Sequence, residues 1–265
     1  MTTLDTAPSP AVAAAGPGPR TKNVGIARLT LIELRKLADT RSGLWLLIVI
    51  ALGAAGTSAI LLGFASDAEQ TFSGLFTFGL LPSGVLLPVL GILSMTSEWS
   101  QRTALTTFTL VPARGRVIAA KLAAGVLIAL AATAMTLAFA AVANLIGIGL
   151  GGDGSWHLDA ALLAQSALME IMFVLMGLGF GALLLNSPLA IVLFFAIPTV
   201  WSILGEMIKA LHSAAAWLDL NQTSIPLSET GMTGGEWARI GVSAAVWILA
   251  PLVLGTVRVL RREVS

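Results

Sequence analysis

The chain has 265 residues, 56% of them apolar and 11% charged, with a mean hydropathy of +0.90 and a formal net charge of +1. Soluble domains carry roughly 25% charged residues, so this composition excludes an ordinary globular protein and specifies one embedded in a bilayer. Cysteine and tyrosine are both absent, which excludes disulfides, thiolate chemistry and Cys-containing metal sites and leaves tryptophan to mark the membrane interface.

Residues 1–24 hold Pro8, Pro10, Pro17 and Pro19 among Ala, Ser and Thr and read as a disordered tail. No basic residue precedes Arg20 and no apolar core follows before the first spanning run, so the tail does not read as a signal peptide. Residues 25–42 predict an amphipathic helix at the membrane surface. Ala27, Leu31, Leu34 and Ala38 form one apolar stripe, with Arg28, Arg35 and Asp39 opposite it and Lys36 nearby. Such a helix rests its apolar face on the acyl boundary while its cations meet anionic lipid.

From residue 43 onward the chain predicts an all-α domain of six transmembrane helices: Leu44 to Phe64, Gly74 to Thr96, Leu122 to Leu150, Ala160 to Leu185, Leu189 to Ile208 and Ile240 to Leu260. Each run approaches or exceeds the roughly 20 residues needed to cross ~30 Å of hydrocarbon. Only Asn186-Ser187-Pro188 divides the fourth from the fifth. The combined stretch is more than twice one crossing, and Ser-Pro after Asn is a stop signal, so two spans joined by a tight turn are expected. With both termini in the cytosol, thirteen of the 15 Lys and Arg residues fall inside, leaving Lys209 and Arg239 outside. Fusing spans four and five would strand Arg258, Arg261 and Arg262 on the wrong face.

The one dense island of charge between long apolar runs is the loop 97–121 after the second span. It contains Ser97-Glu98-Trp99-Ser100-Gln101-Arg102-Thr103, then Pro112-Ala113-Arg114-Gly115-Arg116, then Ala120-Lys121. Unpaired polar groups cost several kcal/mol in hydrocarbon, and the excess of Arg and Lys places the loop in the cytosol. Glu98 and Arg102 stand at i, i+4 and can pair on one helix face.

Catalytic signatures fail in turn. No lysine follows a glycine, so there is no phosphate-cradling Walker loop. Gly177-Leu-Gly179-Phe-Gly181-Ala182 carries dinucleotide-motif letters inside an apolar run, where packing of small residues between helices accounts for them. His157 and His212 lie in expected outer loops without ligand-spaced neighbours, and no metal site is expected.

Glu170 falls near the middle of the fourth span, where a carboxylate costs about 2.5–3.5 kcal/mol on insertion scales. It calls for a water-filled cavity, a proton, or a polar partner on another helix such as Thr133, Thr136 or Asn144. Pro82 and Pro88 in span two, and Pro198 in span five, each remove a helix hydrogen bond. Those kinked spans suit a pathway, with Phe78, Phe195 and Trp201 as aromatic lining. The outer segment 209–238 is long for a connector, and Leu211 to Leu220 predicts a short helix dipping into the interface.

With these residues in view, the chain resembles the permease subunits of ABC-2 type ATP-binding-cassette exporters. The resemblance is carried by Ser97-Glu98, Arg102-Thr103 and Pro112-x-Arg114-x-Arg116 leading to Ala120-Lys121-Leu122, together with six spans, the surface helix and the long last outer loop. It covers about residues 25–262, with Arg102 where the family has glycine. The resemblance implies a non-catalytic half-transporter in a bacterial plasma membrane. A second permease copy or paralogue would complete the pathway, and a separate ATPase subunit would bind ATP and Mg. No cofactor in this chain and no nucleic-acid partner are expected; membrane lipid surrounds it. By the same resemblance Glu98, Trp99, Gln101 and Arg102 form an ATPase-coupling helix with Arg114, Arg116 and Lys121 at its membrane-facing end. Phe78, Pro82, Pro88, Glu170, Phe195, Pro198 and Trp201 mark the substrate pathway for hydrophobic or amphipathic compounds such as drugs or lipids. A proton-coupled secondary transporter using Glu170 is the alternative; its usual internal repeats are not visible here.

Overall fold

The computed structural model describes residues 25–64, 70–101, 109, 113–151 and 155–262. The tail 1–24, Arg102 and most of the loop that follows it lie outside the described residues. Among those described there is no strand.

Helix α1 (Ile26–Asp39) precedes α2 (Arg41–Phe64) with only Thr40 between. α3 (Phe72–Gly79) and α4 (Leu81–Ser100) follow, then α5 (Arg114–Gly149), α6 (Ala160–Leu184) and α7 (Ser187–Met207). The outer segment folds into 3₁₀ turns at Lys209–Leu211 and Ile225–Ser228, with short helices α8 (His212–Leu218) and α9 (Leu220–Ser224). α10 (Gly234–Ala244) continues through a π-helical turn, Ala245–Leu249, into α11 (Ala250–Arg261).

Among the described residues six helical units are long and apolar enough to cross a membrane: Arg41–Phe64, Phe72–Ser100, Arg114–Gly149, Ala160–Leu184, Ser187–Met207 and Gly234–Arg261. The shortest has 21 residues, about 31 Å at 1.5 Å per residue. The turn between α6 and α7 is built as its residues require. Leu185 takes a left-handed conformation at φ 52°, Asn186 caps α7 by accepting from the Leu189 N–H, and Pro188 sits in the first turn.

The second span is two helices rather than one bent rod. α3 stops at Gly79, Leu80 carries the junction, and Pro82 lies in the first turn of α4, where its missing N–H has no intrahelical partner to lose. Only Pro88 is interior.

α6 is the hub, packed by α4, α5, α7 and α11. Its glycines set the spacing. A Cβ on Gly177 would overlap the Pro88 carbonyl of α4, and one on Gly181 would reach 3.0 Å from the Ile92 oxygen. On the other side Gly179 meets Leu252, and Gly255 of α11 meets Ala182. Lipid tails are as apolar as leucine, so close backbone approach is what holds membrane helices together. The glycine run of α6 makes that contact on two faces.

α1 docks on the bundle through Leu29, Thr30, Glu33 and Leu37. Ala27, Leu31 and Ala38 of the apolar stripe remain exposed, with Leu34 half-buried. The helix therefore uses two adjacent faces: one buried against protein, and an apolar one left free.

Candidate functional site

Two places in the bundle concentrate polar chemistry. The first lies where α1, the end of α4 and the start of α5 meet. Lys121 of α5 places its ammonium 2.6 Å from Glu33 of α1 and 3.3 Å from Glu98 of α4. Lys36 of α1 lies 2.7 Å from Glu33 and 3.0 Å from Glu98. The four groups form a closed ring of alternating charge. Lys121 spends its third proton on the Ser94 carbonyl at 3.0 Å.

Glu33, Glu98 and Lys121 are buried, whereas the Lys36 side chain is 42% exposed. Burial alone would lower the Lys36 pKa. The hydrogen bond and charge of Glu33, joined by the charge of Glu98, outweigh it and hold Lys36 above its ordinary 10.5. A ring in which every buried charge has two partners meets the condition for stable burial of ions.

The neighbouring residues that the resemblance assigns to coupling are tied to the end of the last helix. The Arg262 guanidinium stacks 4.9 Å over the Trp99 ring. Arg114 donates to the carbonyls of Val259 and Leu260 at the C-terminal turn of α11, where partial negative charge accumulates. Gln101 caps α4 and is exposed, and Arg116 is half-buried in the first turn of α5. Thus Glu98 engages α1 and α5, while Trp99 and Arg114 engage the residues closing α11. Arg102, expected to pair with Glu98, lies outside the described residues.

Sequence reasoning placed Lys36 on the surface helix and Lys121 at the membrane end of the charged loop, without pairing either, and passed over Glu33. Its signal was present: a carboxylate at i, i+3 to Lys36 and one turn from Leu29 and Leu37, on a face that needs a partner to be buried.

The second place is a cavity of about 320 Å³ between α3–α4, α6 and α7, closed on one side by the outer segment. Its floor is the α6 row Ser166, Met169, Phe173 and Met176. Leu80, Leu81, Gly84 and Val85 form one wall and Phe194, Phe195, Pro198 and Thr199 the other. Leu220, Asn221 and Ser228 complete it. The lining is largely apolar with a few polar groups, the usual make-up of a small-molecule site.

Glu170 lies on α6 between the floor residues Met169 and Phe173, fully buried. Its Oε1 accepts a hydrogen bond from Ser83 at 2.7 Å, and Oε2 has no partner among the described residues. The expected partners Thr133, Thr136 and Asn144 are not used: the Thr133 hydroxyl donates to its own helix at Ala129, and the Asn144 amide to the Ser155 carbonyl. The α3–α4 junction instead brings Ser83 across.

Of the other pathway residues, Phe195 and Pro198 line the cavity. Pro82 packs on Gly53 of α2, and Pro88 on Gly177. Phe78 is 46% exposed and points elsewhere, and the Trp201 indole nitrogen is buried without a partner. Among the described residues no cluster of His, Cys, Asp and Glu could hold a metal ion.

The chain matches no protein-family model and no curated protein sequence.

Proposed function

We propose that this chain is the membrane permease subunit of an ABC-2 type exporter. In this reading it works as a dimer driven by a separate ATPase subunit, in a bacterial plasma membrane with both termini cytoplasmic. The observation that carries the reading is the ion ring around Glu98. It joins α1, α4 and α5 at the last turn before the charged loop, so force applied to that loop reaches three elements together. Buried paired charges resist separation because breaking one pair leaves the other charges unpaired. The loop end is therefore a stiff handle, as an externally powered subunit requires. The cavity beside α4 and α7 supports the second half of the reading, a binding place for lipophilic cargo.

The test is co-expression with candidate ATPase subunits, co-purification, and ATP-dependent uptake of cargo into inverted vesicles. A Glu98→Ala variant is expected to keep ATP hydrolysis and lose transport. Failure to recover any nucleotide-binding partner, or transport by the lone chain without nucleotide, refutes the reading.

One observation favours a second reading, a proton-coupled secondary transporter: the buried carboxyl of Glu170 in α6, between the cavity residues Met169 and Phe173. Purified chain alone in proteoliposomes under a proton gradient would then transport, and Glu170→Gln would abolish it.

A further inference from the structure

The cavity walls carry several hydrogen-bond acceptors. Pro88 has no N–H, so the Gly84 carbonyl, on the cavity wall, lacks its i+4 donor. Pro198 does the same to the Phe194 carbonyl on the facing wall. The Thr77 hydroxyl gives its proton to the Ser73 carbonyl at 2.9 Å, and Thr199 gives its proton to Phe195 at 2.7 Å. With their protons so engaged, both hydroxyls on these lining residues keep lone pairs to accept with. The Asn221 amide gives one of its two N–H groups to Ser202 at 3.0 Å, and its carbonyl oxygen is a further acceptor.

Beneath this wall Glu170 keeps one oxygen without a partner. Ser166, one turn before it, and Phe173, one turn after, both line the cavity. Gly84 supplies the opening. A Cβ built there would lie 4.0 Å from Glu170 Oε1, the oxygen that accepts from Ser83, so no side chain stands between this cavity-wall residue and the carboxyl group. Among the described residues no Lys or Arg lines the space.

We infer that the cavity selects a lipophilic ligand bearing a protonated amine, whose N–H groups meet the proline-released carbonyls and Glu170. Buried acceptors and an unpartnered carboxyl oxygen need donors, and an ammonium supplies both donors and charge. A neutral molecule of the same shape would fill the apolar part and leave the acceptors unsatisfied. Discrimination of this kind is larger than any from shape alone. The inference rests on reading the cavity as the cargo site, and it holds whether transport is driven by an ATPase or by protons.

The test uses the full chain in nanodiscs, with Nile red as a neutral reporter. Its competitors are 1-adamantylamine and 1-adamantanol, which share one cage and differ in the head group. The amine is expected to displace the dye at a concentration on the order of tenfold lower than the alcohol. Glu170→Gln is expected to erase that preference while Nile red binding changes less than about twofold. Glu170→Asp is expected to restore part of it. An unchanged preference in Glu170→Gln, or equal loss for amine and alcohol, overturns the inference and leaves the cavity as a site. Nile red that fails to bind, or that still binds when Met169→Trp fills the floor, overturns both the inference and the cargo-site reading.

Discussion

Lys121 and Glu33 meet at 2.6 Å across 88 residues of sequence, one at the start of the third span and the other on the surface helix before the first. This contact makes α1 part of the bundle rather than an appendage. Removing one member leaves two buried carboxylates on a single half-exposed lysine. Lys121→Met is therefore expected to destabilise by about 3–5 kcal/mol, the range for breaking a buried pair by truncating one partner. Glu33→Gln with Lys121→Met is expected to lose less than the sum of the single variants, because the groups share one network. Thermal unfolding of purified protein in detergent reads the cycle; strict additivity would contradict the ring.

The Lys36 ammonium gives the same cluster a pH signature. Its folded pKa lies above the ordinary 10.5 because Glu33 and Glu98 outweigh the effect of burial. A raised folded pKa contributes stability that is fully present below the unfolded value and lost as pH rises through the folded one. The difference in melting temperature between the wild-type chain and Lys36→Met is thus expected to stay flat from about pH 6 to 9 and to shrink above roughly 10.5. A difference that shrinks as pH falls from 9 to 7 would have the wrong sign. Lys36 is half-exposed, so solvent screening keeps the effect small.

The helical units were legible because a 21-residue apolar run permits almost nothing else in hydrocarbon. The Asn186-Ser187-Pro188 turn was legible for a local reason, since a cap and a proline act over a few residues. What stayed hidden depends on distance. Leu80 breaks span two with no breaker of its own, because Pro82 fits equally well inside a kinked span or in a new first turn. Ser83 as the partner of Glu170 required knowing that α3–α4 crosses α6 at Gly84. The face of α1 that docks is adjacent to its apolar stripe. Periodicity finds an apolar stripe, but a stripe does not say whether protein or lipid covers it.

Orientation follows from the positions of single exposed serines, and the chain's lack of cysteine gives a silent background. Ser100, at the end of α4, and Ser213, in α8, are both exposed. With two spans reading from the charged end outward, Ser100→Cys is expected to react with a membrane-impermeant thiol reagent only from the cytoplasmic side. Ser213→Cys is expected to react only from outside. Intact cells and inverted vesicles separate the two, and labelling of Ser100→Cys on intact cells would invert the topology and remove the proposed coupling loop from the cytosol.

The hub role of α6 predicts where a single methyl group is least tolerated. Gly255 of α11 would place a Cβ 2.6 Å from the Ala182 Cβ and 2.7 Å from the Leu183 nitrogen, and Gly177 would meet the Pro88 carbonyl of α4. In both cases the obstacle is backbone or a first side-chain carbon, which cannot swing aside. Gly177→Ala and Gly255→Ala are each expected to lose about 1–3 kcal/mol, the usual penalty for overpacking. Gly241 is the control: it is helical and exposed, with nothing within 4 Å of a built Cβ. Gly241→Ala is expected to gain roughly 0.5–1 kcal/mol, because alanine loses less backbone freedom on folding. Melting temperatures in one detergent order the three variants. A Gly177→Ala protein as stable as Gly241→Ala would mean that α4 and α6 are not in backbone contact, and the wall and floor of the cavity would no longer be fixed relative to each other.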